Sequence, residues 1–130
     1  MKIAKKVYNE IVGMANEQLP NEACGYLLGK EDYVTEQYPM TNADASPEHF
    51  SFVPQEQFAA VKYARKSGLR VVANWHSHPS SPSRPSQEDI RLAYDVNIKY
   101  FILSLAADKP VLNAFSIIDG QAEKLQLDVI

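Results

Sequence analysis

Residues 74–90 read NWHSHPSSPSRPSQEDI, and this stretch decides how the rest of the chain is interpreted. Two histidines, His76 and His78, stand two positions apart at the end of an apolar segment. A loop rich in serine and proline follows, and then Ser86 and Asp89 stand three positions apart. Side chains at i and i+2 of a β-strand project from the same face, so the two imidazoles could hold one metal ion. The stretch therefore predicts either a metal site or a strand, a polar loop and a capped helix.

Hydrophobic periodicity outside this stretch predicts helices interleaved with strands. The pattern indicates helices over residues 5–19, 54–67 and 86–97. Strands are expected at residues 23–30, 32–40, 49–54, 69–78, 100–106, 111–118 and 123–130. Because the last three strands are consecutive, we expect an α/β or α+β layered fold, with a mixed β-sheet packed with about three helices. The length is that of one domain, residues 1–130.

Composition narrows the class of protein. The chain has 45% hydrophobic and 22% charged residues and a net charge of -3 at pH 7, with no basic excess of the kind that binds nucleic acid. No apolar run approaches the ~18 residues needed to cross a bilayer. A single cysteine, Cys24, excludes a disulfide framework. We therefore expect a cytoplasmic protein that binds neither nucleic acid nor a membrane.

Asp89 is the best candidate for a third metal ligand. A catalytic zinc usually takes three protein ligands and leaves a fourth position for water. The loop of residues 79–85 could fold the first turn of the predicted helix, which carries Asp89, back over the strand end. Nitrogen and oxygen ligands suit zinc, and one cysteine cannot build a thiolate site. The competing interpretation is structural, because Ser86-x-x-Asp89 also fits a capping box at the start of a helix.

The spacing of these residues resembles a known signature. The pattern His76-x-His78-x7-Ser86-x2-Asp89, with Pro79 directly after the second histidine, is similar to that of the JAMM (MPN-plus) zinc metalloproteases. The resemblance implies one Zn²⁺ per chain on His76, His78 and Asp89. It also implies that Ser86 donates a hydrogen bond to the developing oxyanion while still capping the helix.

An upstream segment extends the resemblance. The family carries a Glu-x-x-Gly-x-Leu-x-Gly pattern ahead of its metal ligands, and PNEACGYLLGK at residues 20–30 matches it at Glu22, Gly25, Leu27 and Gly29. The resemblance makes Glu22 the general base that accepts the proton of a metal-activated water and then the acid that protonates the departing nitrogen. On its own, Glu22 would be interpreted as a solvent-facing acid between a helix and a strand.

The resemblance covers most of the chain and implies a cytidine-deaminase-like α/β fold. It implies hydrolysis of the bond after the C-terminal Gly-Gly tail of a ubiquitin-like protein. The chain has little room for the insertions of longer members and is similar to the compact prokaryotic ones, which act on ubiquitin-like sulfur-carrier proteins. In this interpretation Asn42, or the loop of residues 44–50, forms one wall of the tail-binding groove.

Two other functions are alternatives to a peptidase. A zinc deaminase needs a Pro-Cys-x-x-Cys element, which one cysteine cannot supply. A non-catalytic or slow MPN-type interaction module that regulates a biosynthetic partner is the main alternative.

Four other residues near these motifs are given no part in the site. Cys24 is interpreted as a buried hydrophobe rather than a nucleophile. Ser77 and Trp75 are expected to face away from the ligands, and His49 has no partner at ligand spacing.

Overall fold

A computed structural model of the chain describes all 130 residues, and it forms one mixed eight-stranded sheet with three helices. The elements are β1 (Lys2–Ile3), α1 (Lys5–Gln18), β2 (Cys24–Lys30), β3 (Tyr33–Met40), α2 (Pro54–Lys66), β4 (Arg70–His78), α3 (Gln87–Arg91), β5 (Lys99–Ser104), β6 (Val111–Ile118), β7 (Gln121–Leu125) and β8 (Asp128–Val129).

The sheet is mixed, as the sequence predicts. Its strand order is β7-β6-β5-β4-β2-β3-β1-β8. Strand β4 runs parallel to β5 and antiparallel to β2. The short strand β1 runs parallel to both β3 and β8. The metal-ligand candidates on β4 therefore lie in the middle of the sheet, with a neighbouring strand on each side.

The predicted strand at residues 49–54 is wrong. Residues 49–53 are extended but belong to no strand, and Pro54 begins α2. The backbone groups of this segment are bonded within their own loop: the Ala43 amide donates to the Ser51 carbonyl at 2.9 Å, and the Asn42 side-chain amide donates to the His49 carbonyl at 2.9 Å. A segment whose polar groups are satisfied in this way has little to gain from pairing with the sheet.

The predicted bounds of the third helix and of the last strand are also wrong. Helix α3 ends at Arg91 instead of reaching residue 97, because the next residues form a separate turn in which the Asn97 amide donates to Asp95 Oδ1 at 2.8 Å. The predicted strand over residues 123–130 is divided between β7 and β8. The chain leaves β6 after β7 and pairs β8 with β1, a strand of two residues that is too short to be detected from periodicity.

The sheet is covered on both faces. Helix α1 places Val7, Ile11 and Ala15 in a core with Trp75 and Phe101 on one face. On the other face a smaller buried cluster of Tyr100, Ile102, Phe115 and Ile117 packs against Ile90 and Ala93. Because side chains alternate along β4, Trp75 belongs to the first face and the two histidines project from the second. None of the three helices is long and apolar enough to cross a membrane.

Close packing of the strands explains why two positions of the upstream motif are glycine. A Cβ at Gly25 would lie 2.8 Å from Trp75 Nε1 and 2.8 Å from the Tyr38 carbonyl oxygen. A Cβ at Gly29 would collide with the Tyr33 carbonyl, where the pairing of β2 with β3 shifts register. Only glycine permits this close approach of strands. These two positions therefore set the path of β2, at whose start Glu22 lies.

Candidate metal centre

Three side chains that are distant in sequence converge at the end of β4. His76 Nε2 lies 3.1 Å from His78 Nε2, and each of these atoms lies 3.2 Å from Asp89 Oδ2. Both histidines are buried, while Asp89 is partly buried on α3. Side-chain alternation brings the two imidazoles together, and the loop of residues 79–85 returns α3 to the same face. The structure thus brings together the three candidate ligands.

The distances and donor atoms fit a zinc ion. Ligand atoms about 2.0–2.1 Å from a tetrahedral zinc stand about 3.3 Å from one another, close to the separations seen here. Two imidazole nitrogens and one carboxylate oxygen are a donor set that zinc accepts. Two Nε2 atoms and one Oδ2 also lie within 3.2 Å of one another, which a strand and a capped helix alone would not require. We therefore regard the residues present as suited to a Zn²⁺ ion.

The protonation states of Asp89 and His76 favour ligation as well. Burial by itself raises the pKa of Asp89, but its hydrogen bonds with the His76 and His78 rings outweigh burial, and the net pKa is well below its usual value. Burial lowers the pKa of His76 and keeps that ring neutral at pH 7. Burial also lowers the pKa of His78, but its hydrogen bonds with Asp89 and the Pro82 carbonyl outweigh burial, and the net pKa is raised. An ionised carboxylate and neutral imidazoles are the forms that bind a metal, so a metal ion would have to displace the proton from His78 whenever that ring is charged.

The two histidines differ in how they are oriented. His78 Nδ1 lies 2.9 Å from the Pro82 carbonyl oxygen, which makes Nδ1 the donor and leaves the Nε2 lone pair for a metal. His76 Nδ1 is buried without a hydrogen-bond partner. Its ring instead stacks on Phe50, with centroids 4.5 Å apart and planes 22° apart. The irregular loop thus orients one ligand, and an aromatic contact orients the other.

Ser86 does begin α3 as a helix cap. Its Oγ accepts a hydrogen bond from the Asp89 amide at 3.0 Å, and its own amide donates to Asp89 Oδ2 at 2.9 Å. This is the reciprocal capping box that the sequence predicts. The same Oδ2 atom faces both histidines, so the cap also holds the candidate ligand in position. The structural and metal-site interpretations of this motif are therefore compatible.

Glu22 lies two residues before the first residue of β2 and is only 5% exposed, so it is not a solvent-facing acid. The Ala23 amide donates to Ser77 Oγ at 2.8 Å, and the Ser77 amide donates to the Ala23 carbonyl at 3.0 Å. These bonds fasten the start of β2 beside the histidine-bearing end of β4. Ser77 thus has a structural role on the face opposite the ligands, as the sequence predicts.

Burial raises the pKa of Glu22 to about 8. The nearby His78 ring lowers it in part, and the Asp89 carboxylate raises it further. A carboxyl that titrates near neutral pH can both accept and donate a proton under physiological conditions. The charges of the candidate ligands therefore act on the Glu22 carboxyl group directly.

The raised pKa of Glu22 predicts a pH-dependent cost in stability. In the metal-free protein the folded pKa is about 8 and the ordinary value is 4.5, so between these values the unfolded chain releases a proton that the folded one retains. Wild-type stability should fall as pH rises through this window, whereas Glu22→Gln does not titrate. We expect the stability advantage of Glu22→Gln to grow by roughly 2–3 kcal/mol from pH 5 to pH 8, after allowing for solvent screening. Urea unfolding of chelator-treated protein at both pH values measures this difference; an equal advantage at both would contradict it.

The Asn42 side chain forms hydrogen bonds to two separate segments of the backbone. Its Nδ2 donates to the Glu22 carbonyl at 3.0 Å and to the His49 carbonyl at 2.9 Å. The Glu22 amide in turn donates to the Ser46 carbonyl at 2.9 Å. Asn42 therefore joins the loop to the backbone of Glu22. No local sequence pattern predicts these contacts, because they form only when the loop folds.

The same loop carries two further residues to the site. Phe50 stacks on His76, and His49 Nδ1 lies 2.6 Å from Glu88 Oε1 on α3. The hydrogen bond with Glu88 raises the pKa of His49. His49 is not a member of the three-residue ligand group, as expected, but it does have a partner beside that group. Sequence reasoning missed both contacts because they join segments about 25 to 40 residues apart.

Cys24 is buried and is not placed as a nucleophile. Its thiol is directed at the Met40 carbonyl at 4.0 Å, and burial raises its pKa to about 12. A thiol with so high a pKa is almost entirely protonated at neutral pH, whereas thiolate is the reactive form. Cys24 thus fills the core, as the sequence predicts.

With this geometry established, the class of protein is clear. The chain belongs to the family described as prokaryotic homologues of the JAB domain, whose model matches residues 4–118. The match spans the upstream glutamate, the two histidines, the capping serine and the aspartate. It confirms the resemblance to JAMM/MPN proteins that the motif spacing indicates.

Individual relatives agree with this assignment. The CysO-cysteine peptidase of Mycobacterium tuberculosis is 29% identical over 131 residues, which cover 98% of this chain and 90% of that protein. A solution structure of a Desulfitobacterium hafniense protein is 44% identical, with a TM-score of 0.92 over 100% of this chain and 93% of that one. A JAB1/MPN domain protein from Archaeoglobus fulgidus shares the fold at 23% identity, with a TM-score of 0.71 over 100% of this chain and 99% of that one.

Proposed function

We propose that the chain is a zinc-dependent peptidase. It hydrolyses the peptide or isopeptide bond after the C-terminal Gly-Gly tail of a ubiquitin-like or sulfur-carrier protein. The observation that supports this most is the convergence of three ligand atoms within 3.2 Å of one another near a buried carboxyl group. The similarity to a peptidase named for a carrier protein and its cysteine supports the substrate class.

His76, His78 and Asp89 hold the zinc ion in this proposal. The bound ion supplies a Lewis acid that polarises the scissile carbonyl and lowers the pKa of a water from about 16 towards about 7. The buried imidazoles limit access of bulk solvent, which strengthens electrostatic interactions at the site. The chain's own contribution is to fix the ligands in advance through β4 and the helix cap.

Glu22 transfers the proton. Its carboxylate takes a proton from the attacking water and returns it to the departing nitrogen as the bond breaks. The Asn42 and Ser46 bonds to its backbone limit its movement during this transfer. A single residue can perform both steps because its pKa lies near the working pH.

Ser86 stabilises the charge that develops on the carbonyl oxygen. Its Oγ accepts the Asp89 amide, so its own hydroxyl proton remains available to donate. A donor placed in advance at such an oxygen costs no reorganisation during the reaction. Ser86 therefore has a second use beyond the helix cap.

The proposal is tested with metal analysis and a cleavage assay on the same preparations. We expect one zinc per wild-type chain and release of the residue X from a sulfur-carrier protein ending in Gly-Gly-X. The His76→Ala, His78→Ala double variant should bind no zinc and cleave nothing. A wild-type protein that stays metal-free when zinc is supplied would refute the mechanism and favour the interaction-module interpretation.

Ser86→Ala is expected to lower kcat about 100-fold with zinc retained, because the oxyanion loses its side-chain donor. The variant also loses a helix cap, which costs about 1 kcal/mol of stability. Ser86→Thr is the matched control, since threonine keeps both the cap and the hydroxyl proton. A similar kcat for Ser86→Ala and the wild type would restrict Ser86 to the cap.

A further inference from the structure

A cavity of about 460 Å³ opens beside the metal centre on the same face of the sheet. His76 and Asp89 form the end nearest the candidate zinc site, and Asn74, two residues before His76 on β4, lies on the floor. Tyr26 and Tyr100 are paired with Asn74 on the two neighbouring strands and widen this floor. Neither Glu22 nor Ser86 lines the cavity, so the proposed reaction involves only the end formed by His76 and Asp89.

The lining has a distinct chemistry. Apolar and aromatic side chains such as Phe52, Ile102 and Ile117 make up most of it. Glu88, Asp89 and Asp95 contribute carboxylates, and no lysine or arginine lines the cavity. Glu88 is paired with His49, and Asp89 faces the two histidines. The lining disfavours an acidic occupant because a carboxylate would lose its hydration among apolar side chains, where no lysine or arginine compensates its charge.

The floor also holds a polar atom without a partner. Asn74 Oδ1 is shielded from solvent and has no hydrogen-bond partner, on a central strand of the sheet. A buried acceptor left unpaired costs free energy, which a donor on an occupant would recover. Rotation about the terminal bond of the side chain presents either end of the amide to the cavity. An occupant with a polar, uncharged tip satisfies this group.

The nature of the occupant follows from the proposed function, on which this step rests. A Gly-Gly tail has no side chains on the acyl side of the scissile bond. The side chain adjacent to that bond is therefore the one of the released residue. A cysteine side chain would leave most of a cavity of 460 Å³ unfilled. Asn74 and His76 are roughly 7 Å apart along the strand, which a long side chain can span.

The geometry points to a specificity pocket for the released residue, which carries a long side chain that is apolar along its length and ends in an uncharged hydrogen-bonding group. Tyrosine has this chemistry: its ring packs between Phe52 and Ile117, and its hydroxyl pairs with the amide of Asn74. Glutamate is rejected because its carboxylate would be desolvated in a mostly apolar pocket without a lysine or arginine partner. The pocket thus selects what the enzyme releases, while the Gly-Gly tail is recognised elsewhere.

The test uses one carrier protein ending in Gly-Gly-X, with X as tyrosine, phenylalanine, cysteine or glutamate. For wild-type, zinc-loaded protein we expect kcat/KM for tyrosine to exceed that for phenylalanine by about 5-fold, because the tyrosine hydroxyl forms one additional hydrogen bond. Cysteine and glutamate should each be at least about 10-fold slower than tyrosine. Asn74→Leu should remove the preference for tyrosine over phenylalanine and leave the rejection of glutamate.

Two further variants control the experiment. Asn16→Leu makes the same chemical change on the exposed last turn of α1 and should leave all four rates unchanged. Leu92→Trp adds bulk at the cavity lining from a residue that is 47% exposed, so it fills the cavity with little risk to folding. It should slow release of tyrosine at least about 5-fold more than release of cysteine. Amide NMR spectra verify that each variant is folded.

A binding measurement separates this inference from the proposed function. Free L-tyrosine is titrated into ¹⁵N-labelled wild-type and Asn74→Leu protein, and the amide shifts of the cavity residues are followed. Shifts in the wild type alone, without cleavage of any carrier, would support the pocket and overturn the proposed peptidase. Cleavage at equal rates for all four residues would overturn the pocket and leave the peptidase standing. Neither binding nor cleavage would overturn both.

Discussion

Asp89→Ala is expected to remove zinc and reduce cleavage at least about 1000-fold, to the background of the assay. The substitution removes one of three ligand atoms and the negative charge that faces both Nε2 atoms at 3.2 Å. It also removes the acceptor for the Ser86 amide, so α3 loses half of its capping box. Metal content per chain and the rate of Gly-Gly-X cleavage, measured on one preparation, give the result.

The control for this prediction is Asp108→Ala, which removes an exposed carboxylate from the turn between β5 and β6. It should bind zinc and cleave at the wild-type rate. Asp89→Asn separates the two effects of Asp89, because an amide oxygen can still accept the Ser86 amide but is a weak ligand. If Asp89→Ala kept one zinc per chain and the wild-type rate, the ligand set proposed here would be refuted.

Glu22→Gln is expected to lower kcat about 1000- to 10,000-fold while one zinc per chain is retained. Glutamine has nearly the same shape as glutamate but cannot accept the proton of the attacking water, and general acid–base groups contribute on this scale. Because Glu22 is not one of the three converging ligands, its loss should leave metal binding unchanged. Steady-state kinetics with the Gly-Gly-X carrier, together with metal analysis, make the measurement.

Glu17→Gln provides the matched control, since Glu17 is exposed near the end of α1. Its kcat should equal that of the wild type. A second diagnostic is the pH dependence: the wild-type rate should follow ionisation of one group, and that dependence should be absent from the residual rate of Glu22→Gln. Loss of zinc together with activity in Glu22→Gln would instead make Glu22 a residue that supports the metal site, and the assignment as proton carrier would fail.

Much of the fold could be predicted from local patterns. The periodicity of residues 5–19 and 111–118 indicates α1 and β6 correctly, since one core face is buried along each. Prediction failed where a contact outside the segment itself decides the conformation. Residues 49–53 alternate like a strand, but the Asn42 side chain binds the His49 carbonyl and keeps them in a loop. The same is true of β8, which exists because β1 lies beside it.

In the candidate site, too, contacts between residues close in sequence could be predicted and contacts between distant residues could not. His76 and His78 are paired by the two-residue period of a strand, and Ser86 with Asp89 by the first turn of a helix. Both pairs are local, so their spacing alone indicates them. Phe50 stacking on His76 and the bond from Asn42 to Glu22 are not local, and nothing in their neighbourhood predicts them.

The amino-acid sequence by itself determined the identity of the candidate ligands, the helix cap and the family, because short-range backbone geometry and residue chemistry specify them. Only the tertiary structure decided that Glu22 is buried near the ligands, that the loop of residues 41–53 supports it, and that a cavity with an unpaired Asn74 adjoins the site. The physical reason is that burial and pKa depend on which distant segments exclude water from a group. Those contacts exist only once β2, β4 and α3 are assembled on one sheet.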